Sequence, residues 1–453
     1  MVREKLQSRL GFLMLAAGCA VGLGNVWRFP YIVGKNGGAA FVLVYLLFLA
    51  LLGFPLLMAE LTVGRGARMG ISKAMRQLAP EGSRGFWGGM GRVIFAGNFL
   101  LMLYYSDVAG WLLKYFSDYL RPSAMPTAEG AEAGFAALLG SAPLGIAFMA
   151  LAVAVTTALC LGGVRKSVER ATKWMMISLL ALIGILAVKA LSLPNAMKGV
   201  AFYLAPDWAT FSAHPFRAIF EAMGQAFFTL STGVGCMTIF GSYTDRAHTM
   251  VTETIWIIVI DTCVALLAGI IIFPACASFG VDVSAGPGLI FIALPKVFAN
   301  MAGGRIWGAV FFLFLSLAAL TTMVAVFECL IGGLMDEFGW SRVRASLTVG
   351  VAVLLFSLPC VLGFNLWKDL HPFGGTKTIL DCEDYLFSQF WLPLGALASC
   401  IYAVRPVGWG WSAFREEASA GAGLRLPAWF RPYMRYLLPL ILLTVLLFSL
   451  RGE

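Results

Sequence analysis

The stretch GCAVGLGNVWRFP, residues 18–30, decides how this chain folds. It holds three glycines, an asparagine, an arginine and a proline, and it lies inside an apolar segment, residues 10–34, that is long enough to cross a bilayer. Glycine and proline are the weakest helix formers. In a membrane, unwound backbone is tolerated only where protein covers it or where it lines a water-filled cavity. The stretch therefore predicts a broken membrane span with a functional site at the break.

The whole chain has the composition of a polytopic membrane protein. Of its 453 residues 60% are hydrophobic and only 13% are charged, whereas soluble proteins carry roughly 25% charged residues. The apolar segments predict an all-α membrane protein with 11 transmembrane helices, at residues 10–34, 40–64, 86–118, 143–162, 168–192, 215–243, 250–279, 303–336, 343–363, 381–404 and 433–451. The first segment lacks a small-residue cleavage site, so we expect it to be a span rather than a signal peptide.

The distribution of basic residues predicts the orientation. With the N-terminus inside, the inner loops and adjacent span ends hold 21 of the 33 Lys and Arg residues, as the positive-inside rule requires. Eleven spans would then place the C-terminus outside. The net charge of +9 reflects this topology, so we expect the partners to be the lipid bilayer and a small molecule, and no nucleic acid.

The sequence lacks the residue patterns that several classes of activity require. The nine cysteines form no CxxC pair, the three histidines are scattered, and no phosphate-binding P-loop motif is present. The sequence therefore disfavours a metal centre built on histidine, transport driven by ATP hydrolysis within this chain, and a membrane enzyme. A channel stays open as an alternative to a transporter at this point.

A second interrupted span matches the first. The segment 215–243 carries FFTLSTGVG at residues 227–235, five spans after the first break. A pair of glycine-interrupted spans in matching positions is typical of transporters built from two repeats, and an odd offset makes the repeats inverted. We therefore predict one transporter domain over residues 1–453, with a first repeat at 10–192, a second at 215–404 and an additional span at 433–451. Carbonyls freed at a break can coordinate a cation, and freed N–H groups can hold a carboxylate.

Asp261 is the most informative single residue. It is the only charge in WIIVIDTCVALLAGIIIF, residues 256–273. A carboxylate at such depth costs about 2.5–3.5 kcal/mol on insertion scales, so it marks a functional site by default. The alternative is a protonated Asp261 that hydrogen-bonds to a neighbouring helix.

Three stretches carry a resemblance to a known family. RLGFLMLAAGCAVGLGNVWRFPYIVGKNGGAAFVLVYLLF, residues 9–48, resembles the first two spans of the neurotransmitter:sodium symporter family; GQAFFTLSTGVG, residues 224–235, resembles its sixth span; and LAALTTMVAVFE, residues 317–328, resembles its eighth. The resemblance implies the leucine-transporter fold, an inverted five-plus-five repeat with spans 1 and 6 unwound at mid-membrane. It also implies sodium-coupled uptake of amino acids or amines by alternating access, in a bacterial inner membrane.

The resemblance implies two sodium sites and no chloride requirement. The first sodium site would use Ala20, Asn25, Thr229 and Asp261; the second would use Gly18, Val21, Ala318, Thr321 and Thr322. In chloride-dependent members the position of Asp261 resembles Asn, and a Ser at the position of Ala265 helps to bind the anion. With a fixed carboxylate and no hydroxyl there, an anion would be repelled.

The resemblance also assigns a substrate site to Cys19, Ala20, Leu23, Gly24, Leu101, Tyr105, Phe228, Thr229, Ser231, Val234 and Val326. Amine transporters of the family carry an Asp near Cys19 and Ala20, and its absence here disfavours biogenic amines. The small Val234 favours a larger side chain, so we expect hydrophobic or aromatic L-amino acids. The preferred amino acid, the sodium stoichiometry and the oligomeric state stay open.

Gates follow from the same resemblance. Arg28 with Asp384 would form an outer latch, under a lid of Phe228 and Tyr105. Arg3 with Asp336, near Tyr243 and Ser242, would form an inner latch. Leu6 stands where the family carries a Trp that packs the inner gate. This departure leaves open an amino-acid-binding transceptor or regulatory membrane protein with little transport, and Asp261 leaves open a proton-coupled transporter of the same fold.

Overall fold

The computed structural model describes residues 4, 6–281 and 288–451, and this part of the chain is helical apart from turns, loops and two isolated β-bridges. Among the described residues, nine helices are each long and apolar enough to cross a membrane, and a bent pair could form a tenth span. The predicted all-α class is confirmed. The helices used below are α1 Arg9–Ala20, α2 Gly24–Lys35, α3 Ala39–Ala67, α4 Glu81–Leu120, α5 Ala142–Leu161, α6 Val164–Leu191, α7 Pro215–Thr229, α8 Cys236–Tyr243, α9 Met250–Phe279, α10 Gly304–Phe338, α11 Arg342–Leu362, α12 Ile379–Val404 and α13 Phe430–Ser449.

The predicted sixth span is the pair α7 and α8. These helices have 15 and 8 residues, and residues 230–235 separate them. A helix needs about 20 residues to cross the hydrocarbon core, so neither half crosses alone. The count of eleven spans therefore stays a prediction, whereas the interruption of this span is observed.

The first break bends the chain sharply. Helix α1 ends at Ala20, α2 begins at Gly24, and the two axes are inclined by 54°. Val21 has extended backbone angles, which removes it from the helix. Polar and glycine residues in an apolar span therefore have the expected effect, and the predicted break of the first span is confirmed.

The second break is a turn with three positive φ angles. They are 50° at Ser231, 99° at Gly233 and 69° at Gly235, a conformation that glycine adopts without steric cost. A Cβ atom on Gly233 would lie 2.2 Å from the carbonyl oxygen of Leu392 in α12. The Gly233 N–H donates to Oε1 of the buried Glu60 in α3 at 2.6 Å. The unwound backbone is thus covered by α3 and α12.

Helix α10 lies at the centre of the bundle. It packs against α1, α4, α5, α6, α8 and α11. It buries the adjacent Thr321 and Thr322, and the Thr322 hydroxyl faces the carbonyl oxygens of Gly18 and Val21 at the end of α1. Helix α9, which carries Asp261, packs against both α1 and the start of α2. The first break therefore lies between two long helices that each present polar side chains to it.

The segment 405–432 fastens helices together through one buried carboxylate. Glu417, in the helix Trp411–Ala418, accepts hydrogen bonds from Arg65 at 2.7 Å and from Arg246 at 2.5 Å. Arg65, near the end of α3, is only 1% exposed and also donates to the carbonyl oxygen of His248. The segment thus joins α3 to the connection between α8 and α9.

We expect Glu417→Gln to lower the free energy of unfolding by about 3 kcal/mol, because it leaves buried Arg65 without its counter-charge. Unfolding in mixed detergent micelles would measure the loss. Glu416→Gln is the matched control, since Glu416 is exposed and its loss should cost less than about 0.5 kcal/mol. Equal stability of the two variants would contradict this account of the ion pair.

Candidate functional site

Three buried polar side chains meet where the two breaks face each other. Asn25 comes from α2, Thr229 from the end of α7 and Asp261 from α9, and none is exposed. The Asn25 amide donates to Asp261 Oδ1 at 2.8 Å and to Thr229 Oγ1 at 3.1 Å. The Thr229 hydroxyl donates to Asp261 Oδ2 at 2.9 Å. These contacts close a triangle around one carboxylate.

The triangle fits a hard monovalent cation. Hard cations prefer oxygen ligands, and the Asp261 carboxylate and the Thr229 hydroxyl supply them. The Asn25 amide oxygen instead accepts from the Gly22 N–H at 3.1 Å. The hydrogen-bond partners that the structure gives the Asp261 carboxylate, Asn25 and Thr229, are both neutral, so its charge is matched by one positive ion. In the described part of the chain, no group of three or more His, Cys, Asp or Glu side chains could hold a metal ion. Three of the four residues predicted for the first sodium site therefore come together, and Ala20 lies nearby at the end of α1.

The five residues predicted for the second sodium site also lie together. The Oγ1 atom of Thr322 lies 3.3 Å from each of three carbonyl oxygens. These carbonyls belong to Gly18, Val21 and Ala318. The Thr321 hydroxyl donates to the Ala318 carbonyl at 2.8 Å. One hydroxyl hydrogen cannot serve three carbonyls, so this cage of oxygens also fits a cation.

A cavity of about 20 Å³, here called the central cavity, lies between the two breaks. Its lining includes eight of the eleven residues predicted to bind substrate and no charged side chain. The lining residues are Cys19, Ala20, Gly22, Leu23, Gly24, Leu101, Tyr105, Phe228, Ser231, Thr322, Phe387 and Leu392. Thr229 belongs instead to the triangle with Asn25 and Asp261, and Val234 and Val326 are fully buried without lining the cavity.

The unwound backbone of the first break is directly accessible from the central cavity. A Cβ atom on Gly22 would lie 2.8 Å from Thr322 Oγ1 and 3.0 Å from the Tyr105 hydroxyl. Only glycine therefore allows both hydroxyls to approach the break. From the other side, the Ser231 hydroxyl donates to the Cys19 carbonyl at 3.2 Å. The cavity thus offers polar backbone at one end and apolar side chains at the other.

The structure places Val234 differently from the sequence prediction. Its carbonyl accepts a hydrogen bond from the Asn98 amide in α4 at 2.6 Å. A Cβ atom on Gly97 would lie 3.1 Å from Val234 Cγ1. The left-handed turn at Gly233 and Gly235 has therefore directed Val234 against α4. Because Val234 does not line the central cavity, its small size does not directly enlarge that cavity.

A second cavity, of about 270 Å³, lies beside the central cavity and is here called the aromatic cavity. The two share Leu23, Tyr105 and Phe228, so these side chains form the wall between them. The remaining lining residues are Trp27, Arg28, Tyr31, Tyr104, Val108, Leu380, Asp381 and Asp384.

The two residues of the predicted outer latch both line the aromatic cavity. Arg28 and Asp384 are both described and both line this cavity, without a direct ion pair between them. The Arg28 guanidinium lies 4.6 Å from the Phe228 ring centroid, a cation–π contact. Asp384 accepts a hydrogen bond from Ser388 at 2.9 Å. The sequence prediction of a latch that opens and closes is compatible with this arrangement.

Two residues of the predicted inner latch, Tyr243 and Asp336, line a third cavity of about 420 Å³. Arg68, Lys73 and Arg342 line the same cavity. Asp336 accepts from the Gly70 N–H at 2.7 Å. The Ser242 hydroxyl donates to a carbonyl of its own helix. Arg3 lies outside the described residues, so its pairing with Asp336 stays a prediction.

A buried network at this third cavity was not predicted. The Tyr243 hydroxyl donates to Oε1 of Glu328 at 2.5 Å, and Arg342 pairs with both oxygens of that carboxylate. Glu328 is fully buried in α10. It ties α8 to the start of α11, beside the residues predicted to form the inner gate.

Comparison with protein families decides the identity of this architecture. The model of the sodium:neurotransmitter symporter family matches residues 3–128 and 139–452. The chain belongs to the sodium:neurotransmitter symporter family. It is therefore a sodium-dependent membrane transporter and not an enzyme, as the sequence motifs predicted.

Two sodium-dependent transporters and one solved structure are similar to this chain over nearly its whole length. An uncharacterized sodium-dependent transporter of Haemophilus influenzae is 32% identical, over 99% of this chain and 98% of the relative. An uncharacterized sodium-dependent transporter of Bacillus subtilis is 33% identical, over 97% of this chain and 96% of the relative. The chain in the crystal structure of MhsT in complex with L-phenylalanine is 36% identical in sequence to this chain. The two structures match with a TM-score of 0.87, over 99% of this chain and 100% of that chain.

Several residues that hold the breaks or line the cavities of this protein escaped the sequence analysis. Glu60 holds the α7–α8 turn, Glu328 and Arg342 brace α8, and Phe387 and Leu392 line the central cavity from α12. Glu60 and Glu328 are isolated acids in apolar segments, and the reasoning applied to Asp261 would have marked them. Phe387 and Leu392 carried no signal, since apolar residues fill the whole span.

Proposed function

We propose that this protein is a sodium-coupled symporter of hydrophobic or aromatic L-amino acids that works by alternating access without chloride. The observation that carries the proposal is the buried triangle of Asn25, Thr229 and Asp261 beside the central cavity. It offers one net negative charge and several oxygens at the point where two helices are unwound. Sodium and an amino-acid zwitterion together would satisfy both the carboxylate and the freed backbone groups.

Two sodium ions have complementary tasks in this proposal. The first ion would lie between Asn25, Thr229 and Asp261 and would attract the substrate carboxylate. The other partners of that carboxylate would be the N–H groups near Leu23 and Gly24 and the Tyr105 hydroxyl. The second ion, held by Thr322 and its three carbonyls, would join α1 to α10. Each ion that enters adds about 2.3 kcal/mol per 100 mV of membrane potential to the driving force.

The apolar lining of the central cavity favours a zwitterion with an apolar side chain. None of its lining residues carries a charge, so an amine without a carboxylate would lack a counter-charge next to its own. The similarity to MhsT, whose structure holds L-phenylalanine, supports the same class of substrate. Leu101, Phe387 and Leu392 would contact the substrate side chain.

Alternating access would use the two cavities on either side of the breaks. We place the aromatic cavity outside and the cavity at Asp336 inside, with the N-terminus in the cytoplasm and the C-terminus outside. Phe228 and Tyr105 would close the outer path, and the Arg28–Asp384 pair would form above them. The Leu6 N–H donates to the Tyr243 carbonyl at 3.3 Å, so the N-terminal segment still docks on the inner gate without the family's Trp.

Uptake into proteoliposomes tests the proposal. The purified protein would face an inward sodium gradient in chloride-free buffer, with labelled phenylalanine, tryptophan, leucine and glycine offered separately. We expect accumulation of the hydrophobic amino acids and little of glycine, and none when an inert cation replaces sodium. Sodium-dependent binding without accumulation would favour the transceptor, and accumulation driven by a pH gradient alone would favour proton coupling.

A further inference from the structure

Two arginines meet over one tyrosine where α12 ends and α13 begins. Arg405 directly follows α12, and Arg435 lies in the second turn of α13. The guanidinium carbon of each arginine lies 5.5 Å from the ring centroid of Tyr436, which is a cation–π distance. An Nη atom of Arg405 also donates to the Arg435 carbonyl at 3.2 Å. Two positive charges, here called the arginine pair, are therefore held close together at one end of the bundle.

The arginine pair has no counter-charge in the part of the chain that the structure describes. None of the ion pairs found there involves Arg405 or Arg435. Residues 405–435 contain five arginines and only two acids. Of these acids, Glu417 already pairs with two other arginines, and Glu416 is exposed and lies in none of the ion pairs. The positive charge is thus left for a group outside the chain.

The Arg435 guanidinium also has free hydrogen-bond donors. Its side chain donates to none of the described residues, and its Nε atom is buried without a partner. A guanidinium presents five N–H groups in a planar fork. Such a fork can give two parallel hydrogen bonds to the oxygens of one phosphate. Arginines without an acid and with free donors therefore fit a phosphate group.

An apolar stripe continues from the arginine pair along α13. Its exposed side chains recur at the spacing of one helix face, and they are Tyr436, Leu440, Leu443 and Leu447. Trp429, next to the start of α13, is exposed as well. Exposed tryptophan and tyrosine are typical of the membrane–water interface. The arginine pair thus lies at the level of lipid headgroups, and the stripe lies at the level of acyl chains.

We propose that the arginine pair binds the phosphate of an anionic phospholipid, with Tyr436 as the platform and the apolar stripe against an acyl chain. Basic pockets between membrane helices on the cytoplasmic side bind such headgroups, and the predicted topology places this end of α12 and α13 on that side. A zwitterionic lipid carries the same phosphate, but its ammonium group would lie next to two guanidinium groups. The site therefore selects a headgroup with net negative charge. Neither sodium nor an amino acid enters this argument, so it stands apart from the proposed function.

Native mass spectrometry of the purified full-length protein, titrated with phosphatidylglycerol, tests the site. The readout is the lipid concentration at which half of the protein carries a bound lipid. We expect Arg435→Gln to raise this concentration about fivefold, and Arg405→Gln combined with Arg435→Gln to raise it about twentyfold or more, because each arginine contributes separately. Phosphatidylcholine with the same acyl chains should bind the wild type as weakly as phosphatidylglycerol binds the double variant.

Arg425→Gln combined with Arg431→Gln is the matched control. Both arginines are exposed and belong to the same segment, and the change in net charge is identical, but neither lies over Tyr436. This variant should leave lipid binding almost unchanged. Equal shifts in the two double variants would show general attraction to a basic surface and would overturn the site. Equal binding of the two lipids by the wild type would overturn the selection of an anionic headgroup.

Two further measurements identify the occupant. If millimolar inorganic phosphate displaces phosphatidylglycerol, the site takes free anions, and if the wild type is a dimer that Arg435→Gln dissociates, this face joins two copies of the chain. Either result would overturn the lipid site. Arg435→Gln removes no hydrogen bond found among the described residues, so we expect it to fold, and its size-exclusion profile would check this. No readout here depends on transport, so failure leaves the proposed function untouched.

Discussion

Asp261→Asn abolishes sodium-driven uptake in chloride-free buffer, reducing the rate by about 100-fold or more. The substitution keeps the shape of the side chain, but it removes the charge and leaves one acceptor oxygen where Asp261 offers two, to the Asn25 amide and the Thr229 hydroxyl. Leaving a buried cation without its counter-charge costs about 3–5 kcal/mol, and each 1.4 kcal/mol is a factor of ten in affinity. Initial rates of uptake at saturating amino acid, across a range of sodium concentrations, would measure the loss.

A second substitution separates loss of charge from damage to the fold. In the double variant Asp261→Asn and Ala265→Ser, the position four residues on regains a hydroxyl, and we expect uptake to return only when chloride is present. Ala265→Ser alone is the control and should transport without chloride, because Asp261 still supplies the negative charge. Unchanged chloride-free uptake by Asp261→Asn would show that the carboxylate does not serve the sodium site.

Thr322→Val raises the sodium concentration for half-maximal uptake by about tenfold or more. The change preserves the volume of the side chain but removes the hydroxyl that lies 3.3 Å from the carbonyls of Gly18, Val21 and Ala318. A hydrogen bond or ligand contact to a charged group contributes about 1.5–3 kcal/mol, which corresponds to a factor of about 10 to 150. The sodium dependence of uptake at fixed amino acid would reveal the shift.

Thr156→Val provides the matched control for this substitution. Thr156 is equally buried, and its hydroxyl donates only to the Ala152 carbonyl of its own helix at 2.8 Å. Its loss should leave the sodium dependence unchanged. If both variants shift the sodium dependence by the same factor, the effect belongs to threonine packing in general and the second sodium site is elsewhere.

The sequence predicts this architecture well wherever a residue conflicts with its apolar surroundings. Glycines and Asn25 inside the first span, the STG turn inside the sixth and the lone Asp261 each contradict a plain membrane helix, and each lies at the breaks in the structure. The adjacent Thr321 and Thr322 gained meaning only from the resemblance, because threonines in helices often bond to their own backbone.

The sequence predicts poorly what depends on contacts between distant residues. Glu60 and Gly233 are 173 positions apart, and only the folded chain shows that one holds the other. Val234 is one residue from a glycine with φ of 99°, and that turn decides which way its side chain points.

The small size of the central cavity distinguishes compounds that can be transported from compounds that can only block transport. At about 20 Å³ it has room for little more than one water molecule, which needs roughly 10–15 Å³. Under the proposed function, a transported compound would have to push Phe228 and its neighbours apart and then be enclosed by them. A compound that enters through the aromatic cavity but is too bulky for that wall to close would be retained there. Size alone would then turn a cargo molecule into an inhibitor.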